Sequence, residues 1–265
     1  MKFDLKKKVH LTKQMTTRAI QERYRGSFLG MAWSFLTPIM MLMVYTFIFS
    51  TVFNTRWPGS VDEENTLQFA ALLFSGLSLY GFLSEVLLQS SNIIINHTSY
   101  VKKIVFPLTI LPVTVSMSAL FNLIISLIIL VIFQGFSEHS VHLTTLYLPL
   151  VIFPLVLCLL GLSWLIASLG TYLRDINQII TPIVTALLFL GPILYPMSAL
   201  PTVAQKYMYL NPLSFPVEQV RDVVVWGQLP NWSGLAIYTL ISIIICVTGN
   251  IWFNKTKNRF LRVAL

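Results

Sequence analysis

Residues 14–38, QMTTRAIQERYRGSFLGMAWSFLTP, change character at Gly26, where a basic, mildly amphipathic segment gives way to sequence soluble in hydrocarbon. From Gly26 to Thr55 there is no Lys, Arg, Asp, Glu or His. A helix needs only about 20 apolar residues to cross a bilayer core, so this run predicts a first span over about residues 31–53. Lys and Arg beside a first span set its orientation, and Arg18, Arg23 and Arg25 therefore predict a cytosolic N-terminus. Upstream, about residues 8–25 suit an amphipathic helix lying in the membrane interface. Leu11, Met15 and Ala19 fall on one side, and His10, Lys13, Gln14, Thr17 and Gln21 on the other. Ile20 sits off this stripe.

Composition extends the reading to the whole chain. A mean hydropathy of +0.75, with 55% hydrophobic and 11% charged residues, is far from soluble domains, in which about 25% of residues are charged. The net charge of +8 does not point to nucleic acid, because the basic residues cluster beside the apolar runs, as the positive-inside bias requires. The start, MKFDLKKKVH, lacks an apolar core followed by a small-residue cleavage site and predicts no removable signal peptide. Cys158 and Cys246 lie in separate apolar runs and read as packing residues, with no disulfide framework and no metal site.

Five further spans follow, at about residues 67–95, 112–133, 146–169, 179–196 and 232–253. Between Pro196 and Pro230 the chain is too apolar for a free loop and too interrupted by proline for another crossing. It predicts two short re-entrant helices closing the outer mouth, an arrangement allowed where such backbone is buried in protein or lines a watery cavity. The charges test the scheme. Of the 18 Lys and Arg, all but Arg56, Lys206 and Arg221 fall on the expected cytosolic side. The expectation is one all-α membrane domain over residues 1–265, with six spans and both termini cytoplasmic.

Little in the chain suggests catalysis. No Gly-x-x-x-x-Gly-Lys-Ser/Thr pattern occurs, so ATP energy would have to come from a partner. The four histidines show no metal-ligand spacing. Glu85 is the one acidic residue within a predicted span, either functional or hydrogen-bonded near the inner interface, with Gln89 one turn on. Glu218, Arg221 and Asp222 are spaced for a local charge pair. Trp33, Tyr45, Phe49, Tyr80, Phe189 and Tyr195 are span aromatics, packing residues that would also suit sugar rings if a glycan crosses.

Several segments occur in an order that resembles one family. They are Arg23-Tyr24-Arg25-Gly26-Ser27-Phe28-Leu29-Gly30 leading to Trp33 and Pro38; Asn96, Val101-Lys102-Lys103, Phe106-Pro107 and Ile110-Leu111-Pro112; Arg174-Asp175; Pro192-Ile193-Leu194-Tyr195-Pro196; and Asn211-Pro212-Leu213. Together they resemble the permease subunits of bacterial ABC exporters of surface polysaccharides, the O-antigen, capsule and teichoic-acid class. The resemblance implies a homodimer with two copies of a separate ATPase, which would bind the ATP and Mg, leaving no cofactor in this chain. It also implies a polysaccharide on a lipid pyrophosphate as substrate and the bacterial inner membrane as location. The cytosolic loop with Asn96, Ser99, Tyr100, Val101, Lys102, Lys103 and Phe106 would couple to the ATPase. Arg23 and Arg25 would meet the lipid phosphates or simply anchor the topology, while Asn211, Pro212, Glu218 and Arg221 would belong to the outer gate.

The alternatives are a teichoic-acid, capsule or drug-type export permease, an ion or small-molecule transporter, and an intramembrane transferase acting on lipid-linked sugars. A transferase would need converging His, Asp or Glu at one membrane face, and the sequence offers few. Single cysteines at Asp62, Glu138 and Lys206 are expected to react with an impermeant thiol reagent applied outside the cell, and cysteines at Ser99 and Lys257 to stay unlabelled. Outside labelling at Ser99 would overturn the six-span scheme.

Overall fold

The computed structural model describes residues 5–48, 66–97, 106–138, 141–173 and 175–263. Among these residues the chain is built from helices: α1 (Leu5–Tyr24), α2 (Trp33–Phe47), α3 (Thr66–Asn96), α4 (Ile110–Glu138), α5 (Leu148–Tyr172), α6 (Ile176–Phe189), α7 (Thr202–Met208), α8 (Ser214–Val224) and α9 (Trp232–Val263). Short 3₁₀ turns at Gly30–Ala32 and Leu143–Tyr147 lead into α2 and α5, and a third occupies Met197–Ala199. Five helices, α2 with its leading turn, α3, α4, α5 and α9, are long and apolar enough to cross a membrane. The end of the first expected span, from Phe49 onward, lies outside the described residues.

The bundle is centred on α3, which packs against α2, α4, α5, α6 and α8. Its small and branched residues Ala70, Ala71, Leu72, Leu73, Leu79, Leu83 and Val86 are fully buried. Helix α1 lies against α4, with Leu11, Met15, Ala19 and also Ile20 half-buried. The packed face of α1 is thus wider than the stripe read from the sequence, because contact with another helix buries a broader arc than a flat interface.

Helices α5 and α9 run side by side in the same direction. Tyr147 meets Trp232 edge to face at 5.5 Å at one end, and Ser168 and Thr256 share a 2.8 Å hydrogen bond toward the other. Helix α3 is aligned with α5 in the same sense, since the carbonyl of Ser91 is pressed against Gly170. The chain leaving α5 must therefore return to the far end before α9 begins, and α6 makes that return. Asn177, at its start, accepts a 3.1 Å hydrogen bond from Ser91, while Ile193, just past its end, receives one from Arg221, which also reaches the carbonyl of Leu72.

With 14 residues, α6 is only about 21 Å long, short of the roughly 30 Å hydrocarbon core. It stops at Phe189 rather than continuing to Pro196 as expected, because Pro192 has no N–H and disfavours helical backbone at Gly191. Two other boundaries differ from expectation. Helix α4 runs on through Gln134 to Glu138, and α9 continues through Lys255 and Lys257 to Val263 instead of ending at Phe253.

Two glycines permit the α5 and α9 contact. A Cβ on Gly249 would come within 2.2 Å of the Gly161 carbonyl oxygen, and one on Gly161 within 2.5 Å of the Ile245 carbonyl oxygen. Backbone cannot yield as a side chain does, so Gly249→Ala is expected to destabilise the fold by about 3 kcal/mol, the upper part of the range for overpacking. Gly81→Ala, with nothing within 4 Å of the added methyl, is expected to be neutral or stabilising. Thermal unfolding of the detergent-purified chain checks the contrast.

Candidate functional site

The C-terminal turn of α1 meets α3 and α4 in a cluster of polar side chains. Arg23 forms an ion pair with Glu85 of α3, and its guanidinium also donates to Ser118 Oγ of α4 at 3.5 Å. The other oxygen of Glu85 accepts from Asn122 Nδ2 of α4 at 3.0 Å, and Gln89 Nε2 donates to the first at 3.3 Å. Tyr24 donates to Asn122 Oδ1 at 3.5 Å. Burial alone would lower the Arg23 guanidinium, but hydrogen bonding to Glu85 and the charge of its carboxylate outweigh it and hold the group above its ordinary value. The two side chains are 28% and 19% exposed.

A cavity lies on either side of this cluster. Beneath α1, a space of about 610 Å³ is lined by Arg18 and Glu22, by Gln89 and His97 of the α3 end, and by Phe106 and Ser118 among others. Between α2, α3 and α4, a notch of about 210 Å³ is lined by Thr37, Tyr45, Ser78, Glu85, Asn122 and Ser126, with apolar residues around them.

The far end of the bundle holds a second polar cluster, on the segment between α6 and α9. Arg221 of α8, buried, donates to the carbonyls of Leu72 at 3.0 and 3.1 Å, Pro192 at 2.6 Å and Ile193 at 2.9 Å. Burial draws its guanidinium down, against the raising pull of Glu218 and Asp222. Asn211 Nδ2 donates to Leu187 and Leu190 carbonyls at 2.8 and 3.2 Å, and its Oδ1 accepts from the Leu213 N–H at 2.9 Å. The backbone left open where α6 stops is answered by these two side chains. Tyr238 of α9 donates to the Pro212 carbonyl at 2.9 Å and ties in the same turn.

Comparison with known proteins fits a membrane transport chain. Residues 10–225 match the sequence profile of a family described as ABC-2 type transporter. The chain belongs to the ABC-2 type transporter family. It is 25% identical over 264 residues to the O-antigen export system permease protein RfbA of Klebsiella pneumoniae, covering 99% of this chain and 98% of that protein. The namesake from Myxococcus xanthus is 24% identical over 249 residues, covering 93% and 92%. The polysialic acid transport protein KpsM of Escherichia coli is 22% identical over 232 residues, covering 86% and 87%. As an ABC-2 chain it is a multi-pass membrane subunit of a transporter and not an enzyme.

The residues singled out from the sequence fall into separate places in this ABC-2 bundle. Arg23 is engaged with Glu85, while Arg25 is exposed in the turn after α1. Tyr45 lines the notch, Tyr80 is half-buried in α3, and Trp33 and Phe189 are exposed. Tyr195 donates to the carbonyl of Phe189. Asn96 is exposed at the end of α3, and Phe106 lines the cavity beneath α1. Ser99, Tyr100, Val101, Lys102 and Lys103, with Phe49 and Arg174, lie outside the described residues.

Asn211 and Arg221 converge on the end of α6, and Pro212 lies beside them. Glu218 is half-buried on α8, and Asp222 accepts a 2.9 Å hydrogen bond from Gln219. The sequence spacing pairs Arg221 with these neighbouring acids, whose field acts on it, and its guanidinium also donates to distant carbonyls that the spacing does not show. Sequence reading also missed Ser118 and Asn122. The available signal was the polar series Ser118, Asn122 and Ser126, one helical face of an otherwise apolar span.

Arg221→Leu leaves the carbonyls of Leu72, Pro192 and Ile193 without these donors. Leu72 keeps the Ser75 hydroxyl at 2.7 Å, so at about 1–3 kcal/mol for each of the two carbonyls left unsatisfied a loss of at least about 2 kcal/mol is expected. Arg221→Lys is expected to recover only part of it, since one ammonium lacks the planar fork. Unfolding of the purified chain in a detergent series measures both.

Proposed function

We propose that this chain is the membrane permease of an ATP-driven exporter that moves lipid-linked polysaccharide, of the O-antigen class, outward across the bacterial inner membrane. The observation that carries the reading is the end-to-end similarity to RfbA, an O-antigen export system permease, at 99% and 98% coverage. KpsM, named for polysialic acid transport, supports polysaccharide as the cargo class over a shorter stretch. The working unit is a homodimer with two copies of a separate ATPase, which binds the ATP and Mg. Both termini face the cytosol, in keeping with the distribution of Lys and Arg along the chain.

In this reading α1 lies at the cytosolic interface, where a lipid-linked substrate arrives, and Arg23 and Arg25 serve its phosphates. Trp33, Tyr45, Phe49, Tyr80, Phe189 and Tyr195 offer aromatic faces to sugar rings along the path. Asn211, Pro212, Glu218 and Arg221 hold the outer closure. The segment from Asn96 to Phe106 receives the push of the ATPase, with Tyr100 as anchor and Lys102 and Lys103 as a charged rim.

Deleting the gene is expected to abolish surface polysaccharide while lipid-linked polymer accumulates inside the cell, and re-supply of the chain with its ATPase to restore export. Tyr100→Ala is expected to weaken ATPase association by about 1–3 kcal/mol, the scale of an interface hot spot. Lys102→Ala with Lys103→Ala should mainly change association rate and salt sensitivity. Co-purification of the ATPase and export assayed in cells test both. Unchanged surface polysaccharide in the deletion strain overturns the reading.

A further inference from the structure

The Arg23 and Glu85 pair is built so that it can be exchanged. If Arg23 leaves, Glu85 still accepts from Asn122 at 3.0 Å and Gln89 at 3.3 Å, so its carboxylate keeps two donors. Arg23 is the residue before the end of α1, its side chain is already 28% exposed, and its long apolar stem lets the head group swing toward the membrane surface. The carboxylate thus keeps donors of its own, and the guanidinium has a path to the surface.

The chemistry of the exchange is set by the guanidinium. Its planar fork binds a carboxylate or a phosphoryl group with the same bidentate geometry. The cavity of about 610 Å³ beneath α1 is lined by Gln89 and Ser118, the hydrogen-bond partners of Glu85 and Arg23, and so begins one side chain away from the pair. Breaking the pair also removes the guanidinium that links α1 to Glu85 of α3 and Ser118 of α4.

We infer that Glu85 is an internal stand-in for a phosphoryl group: it occupies Arg23 until a pyrophosphate-bearing lipid displaces it, and that displacement removes the ion pair that ties the end of α1 to α3. The inference rests on the lipid-linked export reading and adds to it a self-inhibiting contact whose opening depends on substrate.

The test uses the full chain with its ATPase in nanodiscs of neutral phosphatidylcholine, titrated with a polyprenyl pyrophosphate or, in a second arm, with inorganic pyrophosphate. An internal competitor reduces apparent affinity by the fraction of time it occupies the site, so Glu85→Gln is expected to bind the polyprenyl pyrophosphate about tenfold more tightly than wild type. Arg23→Gln, losing a charge-assisted contact, is expected to bind about tenfold more weakly, and the double variant as weakly as Arg23→Gln. Tightening in both arms makes the anion alone sufficient, and tightening in the first arm alone assigns the site to the lipid-borne group.

A second measurement needs no variant: in the wild-type complex, polyprenyl pyrophosphate is expected to accelerate amide hydrogen exchange over residues 20–25 several-fold. Glu85→Gln binding no tighter than wild type, Arg23→Gln binding no weaker, or unchanged exchange at saturating lipid would each overturn the inference. Tightened binding in a chain whose deletion leaves surface polysaccharide intact would refute the export reading and leave the exchange standing. Normal export with unaltered binding would do the reverse.

Discussion

A helix that stops among buried apolar side chains leaves carbonyls that those neighbours cannot satisfy, and this bundle meets that demand with two side chains. Asn211 caps the last turn of α6, and Arg221 takes the carbonyls of Pro192 and Ile193 just beyond it while also holding Leu72 of the central helix. Each unsatisfied backbone group in hydrocarbon costs several kcal/mol, more than most single packing contacts contribute. The short return helix, the segment after it and the parallel seating of α5 and α9 therefore stand or fall together. A buried cation is tolerated there because its donors meet carbonyl dipoles in a fixed fork, with the field of Glu218 and Asp222 nearby.

The two ends of the bundle use charge differently. At the far end Arg221 is locked among backbone acceptors with fixed positions. At the α1 end Arg23 faces a carboxylate that has other partners, on a helix held along one side of α4. Arg221 is held by backbone acceptors and Arg23 by a carboxylate with other donors, and the two arginines stand 198 positions apart in a chain of 265 residues.

The long apolar runs, the basic segment ahead of them and the proline-broken stretch before the last span could all be read from the sequence, because hydropathy and charge asymmetry are properties of each segment by itself. What could not be read were pairings across the bundle. Glu85 was visible as an anomaly and Gln89 as a neighbour, yet its ionic partner lies 62 positions away, on a helix whose basic residues already had a sufficient explanation in topology. The length of α6 was misjudged because apolar residues continue to Pro196, and only the Gly191-Pro192 pair marks the end of helical backbone. Local spacing showed Arg221 beside its acidic neighbours but says nothing of a carbonyl in a helix 149 positions earlier.

The meeting of Gly161 and Gly249 also bears on how such a chain is made. Helix α5 leaves the ribosome well before α9 is synthesised, so its glycine face, shaped to receive another backbone at contact distance, must wait in the membrane without its protein neighbour. Whatever covers that face in the interval must be squeezed out when α9 arrives. The α5 and α9 contact itself can form only once α9 has been inserted.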